Sequence, residues 1–560
     1  SCWMVKTFSF LFKSKNGDPP SVWSIATLTA GLILIGPFFA LFVTAAGESG
    51  GLWSHLMQTV FPRYVGNTLA LMVGVGAISL FFGITTAWVV ARFRFPGDWA
   101  LEWMLLLPAT VPAYIIAYTY TDLLEYAGPV QGLLREIFGW QSARDYWFPE
   151  IRSLGGAMLV MASVLYPYIY LLARTAFRLT PASYFEVAQL HNRNFTLTAD
   201  IALARPAIVA GLALVLMEVI SDFGTVDYFA VETLTLGIFN VWLGMNNLIA
   251  AAQIAGIAFI FIIGLLYIER TARSRQRFTD TTQRNKEIVP KRVSHGWGAV
   301  CILICLTPIL LGFGVPVAVL LNFILQGLAI SDPGALTSSA INSVLVSLAA
   351  AVCVVTLAAA MVLTVSYKKH PFLNLLTAVS ATGYAFPGVV LAIGVVSFSG
   401  ALDGLIANLA TEVLGVPSDG VLIGSVALLV LAYVTRFQAI GYGAMSAGVE
   451  RLSPNVMNAS FVLGRGFSRT MGSLAPRLLR SSMMAAGLLV FVDVMKELPM
   501  TLLLRPFNFD TLSTYVYQFA KDELLEEAAL AALAIVAAGL GPVILMNASQ
   551  KKRSRSKSFE

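Results

Sequence analysis

Apolar segments long enough to cross a lipid bilayer recur along the whole chain. A helix needs about 20 apolar residues to span roughly 30 Å of hydrocarbon. With 57% hydrophobic and only 12% charged residues, the chain has too little polar surface to cover one water-soluble globule. We count twelve such segments, at about residues 22–45, 66–91, 100–124, 154–173, 206–221, 248–268, 297–325, 341–366, 373–399, 421–445, 481–496 and 524–546. The sequence therefore predicts an all-α polytopic membrane protein.

The second half of the chain repeats the first at an offset of 275 residues. "NTLALMVGVGAISLFFG" begins at Asn67, and "NSVLVSLAAAVCVVTLA" begins at Asn342. Six spans per copy give both copies the same orientation in the membrane, which makes them a parallel repeat. The predicted organisation is a cytoplasmic N-terminal segment 1–21, a six-helix half 22–268, a basic cytoplasmic linker 269–296, a second six-helix half 297–546 and a basic cytoplasmic tail 547–560.

The basic residues indicate the orientation of the spans. Lysine and arginine are enriched in the cytoplasmic loops of membrane proteins. Most of them fall on alternate loops here, including Arg92, Arg94 and Lys368, and both termini are predicted to be cytoplasmic. The net charge of +6 is thus a topology signal, and no nucleic-acid partner is predicted because the charge is not gathered on one face.

No catalytic or metal-binding signature is present in the sequence. The Gly-Lys dipeptide of a nucleotide-binding P-loop does not occur, so the chain is predicted to be a non-catalytic subunit. Cys301 and Cys305 lie one helical turn apart, but two thiols without further ligands make a poor metal site. We expect them to pack as small apolar residues, and a metal site is unknown.

Two cytoplasmic loops, one in each half, contain more than a simple connection. They read "RLTPASYFEVAQLHNRNFTLTADIALARPAI" and "RLSPNVMNASFVLGRGFSRTMGSLAPRLL". In each loop a proline, Pro181 or Pro454, is placed for the first turn of a short helix, and a second proline precedes the next span. Such a loop with its own helix indicates a docking element for a cytoplasmic partner.

These loops resemble the EAA loop of permeases from binding-protein-dependent ABC importers. In the first loop, the family's Glu-Ala-Ala and Gly positions are taken by Glu186, Val187, Ala188 and Asn192. In the second they are taken by Asn458, Ala459, Ser460 and Gly464. The first loop lacks the Gly and the second lacks the Glu. The resemblance implies the type I permease fold, with these residues coupling the chain to an ATPase.

The same resemblance implies partners and location. Two copies of a cytoplasmic ABC ATPase would carry ATP and Mg, while this chain would hold no cofactor. A substrate-binding protein would dock on the outer face, and the chain would lie among lipids of the bacterial inner membrane.

The stretches "MKELPMTLLLRPFNFDTL" and "EVISDFGTVDYFAVETL" extend the resemblance to fused ferric iron permeases in particular. Fused thiamine and phosphonate permeases are built similarly, so another small solute stays open. An ion-coupled secondary transporter is a further alternative, because its two halves can also form a parallel repeat.

Four carboxylates occupy equivalent places in the two halves. Glu218 and Asp222 lie four residues apart, as do Asp493 and Glu497, so each pair shares one helix face. Burying an acid in a membrane is costly, about 2.5 to 3.5 kcal/mol on insertion scales, and carboxylate oxygens suit hard cations. One interpretation is a substrate pathway. The other is structural pairing, as between Asp493 and Lys496, or a solvated rim.

Overall fold

Helices make up almost all of the regular structure. The computed structural model describes residues 21–179, 197–274, 290–327, 330–368, 370–414 and 420–557. Eleven helices among them are long and apolar enough to cross a membrane, or twelve crossings if one bent helix pair counts as a span. The predicted all-α membrane class and the number of spans are thereby confirmed.

The bent pair lies where the third span was predicted. A 3-10 turn at Leu107–Thr110 is followed by extended backbone at Val111 and Pro112, and the flanking helices Asp98–Thr110 and Ala113–Phe138 differ in direction by 91°. Proline has no N–H and disfavours helix at the residue before it. Pro387 lies 275 residues after Pro112. It occupies a similar break, between the 3-10 turn Gly383–Ala385 and the helix that begins at Gly388.

One compact unit, here called the larger unit, comprises Ser49–Leu336 and Leu512–Glu560. Its packing centres on the helices Phe61–Arg92, Leu154–Leu179 and Leu197–Ser221, which approach closely at two glycines. A Cβ on Gly83 would lie 2.8 Å from Ile169 Cβ, and a Cβ on Gly211 would lie 2.9 Å from Ile169 Cα. The helices are α2 (Leu52–Gln58), α3 (Phe61–Arg92), α4 (Asp98–Met104), α5 (Ala113–Leu124), α6 (Pro129–Phe138), α7 (Leu154–Leu179), α8 (Leu197–Ser221), α9 (Gly224–Tyr228), α10 (Leu234–Phe239), α11 (Leu248–Ser274), α12 (His295–Ile309), α13 (Val315–Gln326), α22 (Leu512–Lys521) and α23 (Leu525–Lys557).

The other compact unit, here called the smaller unit, comprises Ser1–Glu48 and Thr337–Thr511. In it α1 packs along α16, and α17 packs along α20. Its helices are α1 (Ser21–Ala45), α14 (Pro333–Lys368, most of which lies in this unit), α15 (Pro371–Ser380), α16 (Gly388–Leu414), α17 (Val426–Glu450), α18 (Pro454–Val462), α19 (Phe467–Arg469), α20 (Ala475–Met495) and α21 (Pro499–Leu504).

Packing therefore does not follow the repeat boundaries. The first helix, α1, belongs to the unit that holds most of the second half, while α12, α13, α22 and α23 belong to the unit that holds the first half. The boundaries 22–268 and 297–546 describe the duplicated sequence, whereas the compact units describe which helices bury each other.

A small sheet fixes the end of the linker within the larger unit. Strand β1 (Phe93–Arg94) pairs in parallel with β2 (Lys291–Arg292), and the backbone N–H of Val293 donates to the carbonyl of Arg94 at 3.3 Å. The segment that precedes α12 is thus attached directly after α3.

Candidate functional site

The first predicted carboxylate pair lies where α8 ends. Glu218 is half-buried, and its backbone carbonyl accepts from Asp222 N at 2.9 Å. The Asp222 carboxylate accepts from the backbone N–H of Thr225 at 3.0 Å, from the Thr225 hydroxyl at 3.0 Å and from the N–H of Val226 at 3.3 Å. The first N–H groups of a helix have no partner within it, so Asp222 satisfies those at the start of α9.

The second predicted pair lies where α20 ends. Asp493 forms an ion pair with Lys496 at 2.9 Å, as the structural interpretation of the sequence expected. Glu497 Oε1 accepts from Met500 N at 3.2 Å, and therefore caps the start of α21. It also receives Arg436 Nη1 at 3.0 Å.

The repeat relates the positions of these two caps. Asp222 and Glu497 are 275 residues apart, and so are Thr225 and Met500, whose N–H groups they accept. Each half thus uses one buried or half-buried carboxylate to turn a long helix into a short one. These bonds account for part of the predicted acidic feature as structure, and its place in a substrate pathway stays a prediction.

Arg436 was missed by the sequence analysis. It lies within α17, a predicted span, and its side chain is only 8% exposed beside the 7% exposed Glu497. An ionisable residue inside an apolar helix is a signal of a paired or functional role, and this signal could have found it.

Gly388 leaves the room that this ion pair needs. A Cβ at that position would lie 2.5 Å from Arg436 Nη1 and 2.7 Å from Glu497 Oε1. The start of α16 therefore approaches the pair so closely that only glycine fits without movement.

A second hydrogen bond also occurs in both halves of the chain. The side-chain amide of Asn67 donates to the carbonyl of Glu232 at 2.9 Å, and that of Asn342 donates to the carbonyl of Asp510 at 3.0 Å. These asparagines open the two copies of the repeat, so the matching bonds extend the duplication from sequence to structure.

The second of the two loops predicted to be cytoplasmic contains the helix that was predicted there. Helix α18 has Pro454 in its first turn, and Gly464 follows it with φ 80°, a left-handed conformation that glycine adopts without strain. Among the predicted coupling residues, Asn458, Ala459 and Gly464 are exposed. Ser460 is buried, and its hydroxyl lies 3.0 Å from that of Thr470.

An aromatic and methionine cluster holds α18 in place. Met457 is buried in it, and the rings of Trp23 and Tyr367 lie 5.5 and 5.9 Å from that of Phe467. The far side of the helix end is open, because Val462 and Leu463 are 86% and 82% exposed. The loop therefore presents an apolar tip on a fixed base.

The first of the two loops predicted to be cytoplasmic holds Glu186, Val187, Ala188 and Asn192, which lie outside the described residues. Its two flanks are described, and charged contacts hold both of them. Arg92 donates to both carboxylate oxygens of Asp200 at the start of α8, at 2.9 and 2.5 Å. Glu102 receives Arg174 at 3.0 Å and Arg178 at 2.8 Å at the end of α7.

No group of three or more histidine, cysteine, aspartate or glutamate side chains able to hold a metal ion occurs in the part of the chain that the structure describes. Cys301 and Cys305 are buried in the apolar cluster between α3, α7 and α12. Burial of this kind agrees with the packing role expected for them.

Known proteins similar to this chain are transport permeases. No family model matches the chain. The Fe(3+)-transport system permease protein FbpB 2 of Haemophilus influenzae is 25% identical over 94% of this chain and 98% of its own length. The sulfate transport system permease protein CysT of Escherichia coli is 26% identical over 48% of this chain and 97% of its own length. A Salmonella typhimurium protein described as a 2-aminoethylphosphonate transport system permease is 25% identical over 46% of this chain and 93% of its own length.

The lengths covered agree with the repeat. One relative matches both halves together, and the others match about half of the chain with nearly all of their own length. The helical membrane fold, its duplication and these similarities to transport permeases agree with the resemblance to fused permeases of ABC importers.

Proposed function

We propose that the chain moves ferric iron across the bacterial inner membrane as the permease of an ATP-driven importer. The observation that carries the choice of iron is the relative named for Fe(3+) transport, which matches 94% of the chain. The sulfate and aminoethylphosphonate relatives match half as much. Sulfate, phosphonate, thiamine or another small solute are the alternatives that the substrate experiment must separate.

The exposed end of α18 supports the proposed contact with an ATPase. Val462 and Leu463 project from a helix whose other side is fixed by Met457 and by the bond between Ser460 and Thr470. Apolar side chains this exposed on the predicted cytoplasmic side bury favourably in a partner. Movement of the helix would pass to α20 through the residues between Phe467 and Leu474, which run directly into it.

The proposed cycle is alternating access. Two ATPase subunits close on ATP and press on both cytoplasmic loops, so that the pathway opens outward to a docked substrate-binding protein. Hydrolysis returns the pathway inward. Metal and nucleotide chemistry belong to the partner subunits, with ATP and Mg bound there and no cofactor in this chain.

Reconstitution tests the substrate. The permease is purified with its ATPase and binding protein in proteoliposomes, and ATP hydrolysis is measured with ferric iron, sulfate, 2-aminoethylphosphonate or thiamine on the outside. We expect only ferric iron to stimulate hydrolysis. Stimulation by sulfate alone, or uptake driven by an ion gradient without ATP, would refute the proposal.

Substitutions in the cytoplasmic loops test the coupling. Replacement of Glu186 and Gly464 together should uncouple transport while the permease still inserts in the membrane. Val456→Asp serves as a control, because it adds a charge to the same helix at a position 43% exposed and away from the tip. Unchanged uptake in the Glu186 and Gly464 double variant contradicts the docking assignment.

A further inference from the structure

A cavity of about 200 Å³ opens at the end of α5 within the larger unit. The loop between α6 and α7, the end of α5 and the connection between α22 and α23 surround it, on the side that the positive-inside rule assigns to the exterior. Its polar lining includes Tyr118, Asp122, Glu125, Arg152, Tyr228 and Glu523.

The charge of this lining is negative. Three carboxylates face one guanidinium, and Arg152 is held by Glu125 at 2.6 Å and by Glu523 at 3.1 Å. The same guanidinium lies 4.8 Å from the centre of the Tyr228 ring. Asp122 is exposed and adds a charge that Arg152 does not pair in the described part of the chain. The cavity therefore attracts cations and repels oxyanions.

The floor of the cavity carries a polar atom with no partner. Tyr118 is 1% exposed, and its hydroxyl makes no hydrogen bond among the described residues. Its ring lies 4.5 Å from that of Tyr228. A buried hydroxyl without a partner is costly, and a ligand or its bound water in the cavity would relieve that cost. Phenol and carboxylate oxygens together are the donors that hard cations prefer.

The loop that carries Arg152 is ordered by its own bonds. Asp145 accepts from the backbone N–H groups of Ser142 at 2.8 Å and Gln141 at 2.9 Å, and these bonds lower the pKa of its carboxyl. Arg135 donates to the Tyr126 carbonyl and to the Tyr146 hydroxyl. These bonds order the part of the loop that precedes Arg152.

We propose that this cavity is an entry site for a hard, multiply charged cation, with Arg152 as the resident charge that the cation competes against. Asp122 and Glu125 lie at the end of α5 and Glu523 lies after α22, so the three carboxylates do not form a tight chelate, which suits a site that must release its ion onward. The inference rests on the proposed transport function for its direction of travel, but the binding itself is measurable without transport.

Terbium luminescence tests the binding. The full chain is purified in lipid nanodiscs and titrated with Tb³⁺, a hard trivalent cation whose emission is sensitised by nearby tyrosine. We expect saturable emission that Asp122→Asn with Glu523→Gln weakens by at least about tenfold in affinity, because two of three cavity charges are lost. Tyr118→Phe should also reduce the sensitised emission, and Arg152→Gln should raise the affinity.

A matched double variant supplies the control. Glu136→Gln with Glu412→Gln removes two exposed carboxylates that do not line the cavity, and the affinity should change less than threefold. Equal affinity of the cavity variant and the wild type for Tb³⁺ would overturn the proposal. Sulfate that binds at the cavity and displaces Tb³⁺ would overturn it as well. Failure of iron transport with intact Tb³⁺ binding would instead refute the proposed substrate while leaving the cation site standing.

Discussion

The buried ion pair of Arg436 and Glu497 predicts how a substitution changes the free energy of unfolding. The equivalent acid in the first half, Asp222, supplies a control in the same chain. Glu497→Gln keeps the shape of the side chain and an oxygen that can accept from Met500 N, but removes the charge that Arg436 pairs at 3.0 Å. Both side chains are less than a tenth exposed. We therefore expect the loss of the ion pair to appear almost unscreened.

The magnitude follows from burial. Removing one partner of a buried pair costs about 3 to 5 kcal/mol, because an uncompensated charge is left inside. Asp222→Asn at the equivalent place in the first half should cost only about 1 kcal/mol, since charged hydrogen bonds become neutral ones and no ion pair of Asp222 occurs among the described residues. A difference of this size changes the ratio of folded to unfolded protein by roughly two orders of magnitude.

A double-mutant cycle measures the coupling energy between Arg436 and Glu497. Equilibrium unfolding in mixed micelles titrated with dodecyl sulfate, followed by circular dichroism, gives the free energy of unfolding for Glu497→Gln, Arg436→Met and both together. The double variant should recover much of the loss, because it leaves no unpaired charge buried. Equal costs for Glu497→Gln and Asp222→Asn, or no coupling in the cycle, would refute the reasoning.

Three further outcomes are expected. Gly388→Ala should destabilise the permease by about 1 to 3 kcal/mol through overpacking against the ion pair, measured in the same micelle titration; an unchanged midpoint would show that the pair can move away. Asp200→Asn should cost about 3 kcal/mol, since Arg92 loses its buried partner, and Arg92→Met in the same chain should restore part of it. Val462→Asp should abolish stimulation of the ATPase while leaving the unfolding midpoint within about 0.5 kcal/mol, as expected for an exposed position; full stimulation would exclude this helix end from the contact.

The sequence predicted the fold class and the repeat because both depend on patterns that add up over many residues. Apolar runs of about 20 residues indicate spans whatever their packing, and the offset of 275 residues carried Asp222 onto Glu497. Helix α18 was predicted from Pro454 and the loop length, and it was found at Pro454–Val462. These features require no knowledge of which helices touch.

The breaks and the packing partners could not be predicted in the same way. Apolar composition continues through Val111 and Pro112, so the 91° bend depends on one proline in a setting where prolines also occur inside straight helices, as Pro167 does in α7. The assignment of α1 to the smaller unit depends on surface complementarity between distant segments. The carboxylates were recognised, but whether each meets a cation, a lysine or a helix end is decided by side-chain positions that spacing does not fix.

The two halves differ most where the cytoplasmic loops begin and end. Arg92 pairs with Asp200 beside the first loop, whereas an aromatic cluster around Phe467 lies at the base of the second. An ion pair is directional and loses its strength when its partners separate, whereas apolar contacts tolerate sliding. A duplicated frame with unlike anchors therefore gives the loops different mechanical properties. A flank of the first loop is held by an ion pair and the base of the second by apolar contacts, so we expect an equal force on both loops to displace them by unequal amounts.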